Sequence, residues 1–243
     1  MYICGNPCPT RPNGIAGRAN GRRVRPINLM KMALTSTIIS SLLFFFIGQI
    51  VNAGEDDRKK WNKRYDAMEY IYGKEPIKFL KENVSLLTKG KALVLAMGEG
   101  RNAVFLARNG FDVDCCDISE KAVEKCESLA RESGVTLNAF TADLEEYKIT
   151  ADKYDLITCF YYTQRDLIPQ IKEGLKKGGM VMFETYTIDQ LKYGDDASGP
   201  KNPDYLLKHN ELSNFFRDFH IFYYREGEIA ENKSVASLIA QKK

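Results

Sequence analysis

From Ala92 to Met97 the chain is an unbroken apolar run. It stops at Gly98-Glu99-Gly100, and from Arg101 the apolar positions recur at helical spacing. No other stretch limits the fold as tightly. A strand that is apolar on both faces belongs to a parallel sheet covered by helices. A glycine turn leading straight into a helix is the first half of a βαβ unit. The same turn presents small residues and unpaired helix-start N–H groups at the carboxyl end of a strand, where open α/β sheets take their ligands.

The pattern repeats downstream. Strands are expected at 91–97, 111–116, 135–142, 154–160 and 180–186, with helices at 101–109, 119–133 and 166–176 between them. Ser119 suits an N-cap, and Gly110 and Gly134 suit helix ends. Before this block, 61–87 reads as helical, with Ile71, Ile77, Leu80, Val84 and Leu87 as a partial apolar face. Lys177-Gly178-Gly179 reads as a turn, 189–204 as a polar insertion and 211–216 as a helix. Two last strands are expected at 219–225 and 235–241, with a turn at Glu226-Gly227. Alternating strands and helices predict a doubly wound α/β sheet.

Charge divides the chain. Residues 1–54 hold six Arg and Lys and no Asp or Glu, so the formal +3 of the whole leaves the remainder slightly acidic. Nothing there suggests a nucleic-acid footprint. The apolar run 34–51, flanked by Lys31 and Asn52-Ala53-Gly54, reads as a signal peptide or a membrane anchor, and membrane contact is expected through it. An organellar transit sequence, or a cytoplasmic protein with a misassigned start, is the alternative. The division is therefore a basic leader, 1–54, and a folded domain, 55–243. Cys115, Cys116, Cys126 and Cys159 fall at strand or helix positions without metal-ligand spacing and read as small buried hydrophobes.

Gly98-x-Gly100-x-x-Ala103 fits a dinucleotide fingerprint, and Asp117 follows at the spacing of a ribose-binding acid. Asp117 ends the second strand and Asp143 follows the third; each suits either a contact to an adenosine ligand or a turn and cap. The fourth strand ends in Cys159-Phe160-Tyr161-Tyr162, without an evident proton-transfer group other than tyrosine. His209 and His220 adjoin no nucleophile and read as structural.

Gly98-Glu99-Gly100-Arg101-Asn102-Ala103, followed by Gly110-Phe111-Asp112-Val113-Asp114 and Asp117, resembles a class I S-adenosylmethionine-dependent methyltransferase. More narrowly, it is similar to the tellurite-resistance methyltransferase family over about residues 60–243. The resemblance implies a Rossmann-like seven-stranded methyltransferase sheet closed by an antiparallel hairpin. It implies S-adenosyl-L-methionine as cofactor, with Gly98 and Gly100 bordering its methionine part and Glu99, Arg101 and Asn102 as further cofactor-binding residues. Asp117 and Ile118 would then meet the ribose, Asp143 and Leu144 the adenine, and Phe160 the methyl-transfer side. Trp61, Arg64, Tyr65 and Tyr72 would form a lid or simply pack. Val94 and Ala96 stand where many members carry an acid and a first glycine, and Glu99 is the candidate substitute for the lost acid.

These residues point to methyl transfer to a small-molecule acceptor, a thiol or an oxyanion of tellurium or selenium. Such soft nucleophiles need little proton removal, and positioning supplies much of the acceleration. Tyr161 and Tyr186 are the candidate catalytic residues of the acceptor pocket, with Tyr162 and the 193–205 loop beside them. The alternatives are a nicotinamide-dependent oxidoreductase and a non-catalytic protein that binds an adenosyl cofactor.

Overall fold

The computed structural model describes residues 54–194 and 197–243. The leader, including the apolar run 34–51, lies outside the described residues. Among those described, no helix is long and apolar enough to cross a membrane.

Seven strands form one sheet: β1 (Lys91–Leu95), β2 (Asp112–Asp117), β3 (Asn138–Thr141), β4 (Tyr154–Phe160), β5 (Leu175–Tyr186), β6 (His220–Ala230) and β7 (Lys233–Gln241). Their order is β3-β2-β1-β4-β5-β7-β6. The first five run parallel, and β7 enters antiparallel between β5 and β6. The chain winds outward from β1 to β3, then restarts beside β1 with β4. The crevice at the carboxyl ends of β1 and β4 is therefore the switch point where such sheets bind ligands.

Both faces of β1 are buried. Leu93 and Leu95 pack with Ile157, Val181 and Phe183 against α5 (Leu167–Gly174) and α6 (Glu211–Phe215). Ala92 and Val94 pack with Leu156 and Met182 against α2 (Lys78–Asn83), α3 (Arg101–Arg108) and α4 (Glu120–Glu132). Val94 is thus a core residue, which removes it from any ligand contact. The four cysteines of the domain are buried free thiols, as small hydrophobes would be.

Three local expectations fail, each for a physical reason. The helical stretch 61–87 is broken: α1 covers 54–65, then irregular chain runs to α2. Gly73 at φ +69° and Pro76 interrupt it, and Ile71 is partly exposed instead of lining a face. Lys177-Gly178-Gly179 is not a turn between elements. It is an irregularity inside β5, where Tyr154 pairs Leu175 but Leu156 pairs Met180. Glu226-Gly227 stays within β6, and the hairpin turns instead at Glu231-Asn232, with Asn232 in the left-handed region.

Candidate active site

The glycine loop is built by its backbone. Ala96, Gly98 and Gly100 all have positive φ, so Ala96 adopts the conformation its glycine counterpart would. The Gly98 N–H donates to Asp117 Oδ2 at 2.9 Å, tying the loop to the end of β2. The Ser119 N–H reaches Asp117 Oδ1 at 3.1 Å, and Ser119 caps α4 by accepting from the Ala122 N–H. Only 7 % of Asp117 is exposed. Burial raises its pKa, opposed by N–H donation from Ser119, Gly98 and Ile118. Three donors leave one of the carboxylate's four lone pairs, so it can still accept from a ligand hydroxyl.

Asp143 lies just beyond β3. Its Oδ1 accepts from the Glu145 N–H at 2.9 Å, which is the work of a turn residue. A side chain on Gly54 would strike Asp143 Oδ2, so this residue of α1 lies directly against the carboxylate. Leu144 is buried beside it, and its carbonyl accepts from Gln164. Tyr162 belongs to this side as well, because its hydroxyl donates to Gln164 Oε1 at 2.7 Å and its ring joins the α5 face of the core. That removes it from the pocket where Tyr161 and Tyr186 lie.

α1 closes over the loop. Its Asn62 accepts from the Ser119 hydroxyl (2.6 Å) and the Lys121 N–H (3.2 Å), and donates to Glu120 (2.6 Å). Tyr65 stacks on Trp61, and its hydroxyl lies 3.2 Å from where a Cβ on Gly98 would be. Burial raises the Tyr65 pKa, helped by the Asp117 charge, so this hydroxyl keeps its proton.

The loop's polar side chains do something the sequence did not reveal: they hold the segment 66–77. Glu99, 4 % exposed, accepts from Lys125 Nζ at 2.8 Å and from the Tyr72 N–H at 3.3 Å. Arg101 donates to the Tyr72 carbonyl at 2.6 Å, and Asn102 Oδ1 accepts from the Ile77 N–H at 3.0 Å. Glu99 is therefore committed to a lysine and is not the free acid that would replace the one missing at Val94. Gly100 serves packing: a Cβ there would sit 2.8 Å from the Cys126 backbone. At Gly98, by contrast, the neighbour is the flexible end of the Tyr65 side chain.

At the carboxyl ends of β4 and β5 lies a second cluster. Tyr161 adopts φ +57°, a strained conformation for a large side chain. Its N–H donates to the Glu184 carbonyl and its hydroxyl to Glu184 Oε1, both at 2.7 Å. The Tyr161 and Tyr186 rings lie 5.4 Å apart. Lys233, from the first position of β7, donates to the Tyr161 hydroxyl at 2.9 Å and lies 4.1 Å over its ring. Glu184 is 1 % exposed and also accepts from Ser237. Phe160 is buried in the α3 face of the core just before Tyr161. Lys233 was not evident from sequence. Its one signal is a charge heading the uncharged strand Ser234–Ala240.

The structure thus brings together the glycine loop, Asp117, Asp143, Tyr161 and Tyr186 on one edge of the sheet. Comparisons with known proteins bear on the family and the fold. The family model "Tellurite resistance protein TehB" matches residues 60–236. "Probable S-adenosyl-L-methionine-dependent methyltransferase TehB" of Haemophilus influenzae is 23 % identical over 162 residues, covering 65 % of this chain and 56 % of that protein. A second Haemophilus influenzae strain's TehB is 22 % identical, and 63 % of it is covered. The chain therefore spans less than two thirds of the length of these curated relatives. The crystal structure of TehB from Haemophilus influenzae superposes with a TM-score of 0.57 at 21 % identity, covering 76 % of this chain and 67 % of that one. The fold is a Rossmann-like methyltransferase fold. With the motif, the seven-stranded order and a family match across most of its length, this chain belongs to the tellurite resistance protein TehB family.

Proposed function

We propose that the protein is a methyltransferase that uses S-adenosyl-L-methionine and acts on a small, soft acceptor: a thiol, or an oxyanion of tellurium or selenium. The observation that carries the reading is the buried Asp117 carboxylate bonded to the Gly98 N–H. It places an acceptor for hydroxyl donors beside a loop with room for backbone approach. The residues fit the cofactor: Asp117 would hold the ribose, Asp143 and Leu144 would border the adenine, and Gly98 the methionine part. When bound, the cofactor supplies an electrophilic methyl group. Tyr65 and Asn62 cover it and exclude water, while Tyr161 and Tyr186 line the acceptor side. The relatives' printed activities support this reading, and they offer nothing for a nicotinamide cofactor.

Calorimetry with S-adenosylmethionine, S-adenosylhomocysteine and NAD tests the assignment. The adenosyl sulfur compounds should bind and NAD should not; the reverse would sink it. Asp117→Asn should weaken S-adenosylhomocysteine binding by about 1–3 kcal/mol through lost charge-assisted hydrogen bonds. Release of methylated thiol or methylated tellurium, followed by mass spectrometry, then separates the acceptors. We further propose that residues 34–51 bring the domain to a membrane. Fractionation of a C-terminally tagged protein with protease accessibility tests this, and a fully soluble protein would refute it.

A further inference from the structure

We propose that Lys233 is the proton-accepting residue of the acceptor pocket, held in place by Tyr161 and Glu184. This rests on the methyl-transfer reading. Three observations converge on it. Lys233 reaches the pocket from β7, and its bond is to a phenol, the Tyr161 hydroxyl at 2.9 Å. That phenol in turn donates a hydrogen bond to the Glu184 carboxylate at 2.7 Å, so the tyrosine is fully engaged and holds the amine from below. Tyr161 is locked in a left-handed backbone conformation by the same glutamate residue. Strain of this kind gathers where a side chain must be aimed.

The surroundings of the amine hold its pKa below the ordinary lysine value. Tyr161 comes from β4, Glu184 and Tyr186 from β5, Arg101 from α3, and Arg225 of β6 lies 3.9 Å from Glu184 on the far side. Desolvation lowers the Lys233 pKa, Glu184 raises it and Arg101 lowers it again, with a net fall. Tyr161 cannot take the proton itself, because burial and the Glu184 charge push its pKa up. In the step on a thiol, the acceptor S–H gives its proton to the Lys233 lone pair while its sulfur bonds the methyl carbon; an oxyanion attacks through a lone pair and has no proton to give. The carbon–sulfur bond of the sulfonium breaks and its electron pair stays on that sulfur. One positive charge moves from the sulfonium to the ammonium, and nothing else is consumed.

The test uses the full chain with 2-mercaptoethanol as the acceptor, alongside tellurite. K233R keeps a long nitrogenous side chain at the position but cannot act as a base, so kcat for the thiol should fall by about 10²–10⁴. KM should change by less than about threefold, and the acidic limb of the kcat profile should disappear. Ethylamine should restore turnover to K233A, which a merely structural lysine would not allow. Independently of turnover, nitrogen-15 NMR of the lysine amines in the cofactor-free protein should show one, absent in K233M, titrating below the rest. Unchanged S-adenosylhomocysteine binding by K233M shows that the variant is folded. K233R with wild-type kcat and pH profile, or a Lys233 amine titrating with the surface lysines, overturns the proposal. Failure of the wild type to methylate either acceptor overturns the methyl-transfer reading beneath it.

Discussion

Two glycines of one motif make opposite demands. At Gly100, with φ +89°, a Cβ would lie 2.3 Å from Cys126 Sγ and 2.8 Å from its Cα. Backbone cannot yield cheaply, so Gly100→Ala combines left-handed strain with overpacking between α3 and α4, about 2–4 kcal/mol of stability. At Gly98 the nearest atom is the end of the Tyr65 side chain, 3.2 Å away, which can swing aside. Gly98→Ala should therefore cost only about 1–2 kcal/mol of stability, from backbone strain. Its larger effect should be on S-adenosylhomocysteine affinity, because the new methyl occupies the ligand side of the loop. Urea unfolding and calorimetry on both variants decide this. Equal losses in both measurements would show that the two glycines share one role.

At the scale of elements, the segment 66–77 is mostly exposed and is held by hydrogen bonds from the glycine loop. Asn102→Ala leaves the Ile77 N–H without its 3.0 Å partner next to the buried start of α2. The expected cost is about 1–3 kcal/mol for an orphaned buried donor. The loss should be local: amide exchange should quicken over 70–77 and stay unchanged in β4. Uniform quickening would mean that the segment unfolds with the sheet. This arrangement also explains what could be read from sequence. The β1–Gly98–α3 unit, Ser119 as a cap and the end of β4 at Phe160 are local patterns, and each was legible. So was Asp117, whose place follows from the strand it ends. The 66–77 segment was not, because its conformation is set by Glu99, Arg101 and Asn102, some 25 to 29 residues away. Lys233 was hidden for the same reason, since only the insertion of β7 beside β5 brings it to Tyr161 across 72 residues. Glu226-Gly227 misled because both residues pair with β7, opposite Ala236 and Val235, and that long-range pairing carries the strand past the glycine.

The whole molecule should respond unequally to acid and alkali. On the acid side two buried carboxylates oppose each other. Asp114 accepts from Asn138, Lys153, Lys91 and Tyr154, which outweigh its desolvation and hold its pKa near about 2. Its folded pKa is below the unfolded value of about 3.9, so its stabilisation is present above that pH and is lost as pH falls towards 2. Asp117 is shifted upward by desolvation, so its charged form costs stability, and that cost is relieved as pH falls through its raised pKa. Most other acid pairs are exposed and screened, and the acid limb should be shallow. Alkali meets less cancellation: Lys233, its pKa lowered chiefly by burial, opposes the fall, but the thiols and phenols outnumber it. Cys116, raised to about 12, and Cys159, Tyr65 and Tyr154, all raised chiefly by burial, keep their protons in the fold. In the unfolded chain they ionise near about 8.5 for the thiols and about 10 for the phenols. Their contribution is complete below those values and is lost as pH rises toward the folded ones, by about 1.4 kcal/mol per pH unit for each group. The two thiols together remove about 3 kcal/mol per unit above pH ~9, and the phenols steepen the fall above pH ~10. A total stability of about 5–15 kcal/mol should then be exhausted within a few units. Urea midpoints measured from pH 3 to pH 11 should fall gently towards acid and steeply towards alkali. A profile symmetric about neutrality, or one steeper on the acid side, would mean that these thiols and phenols reach water in the native state.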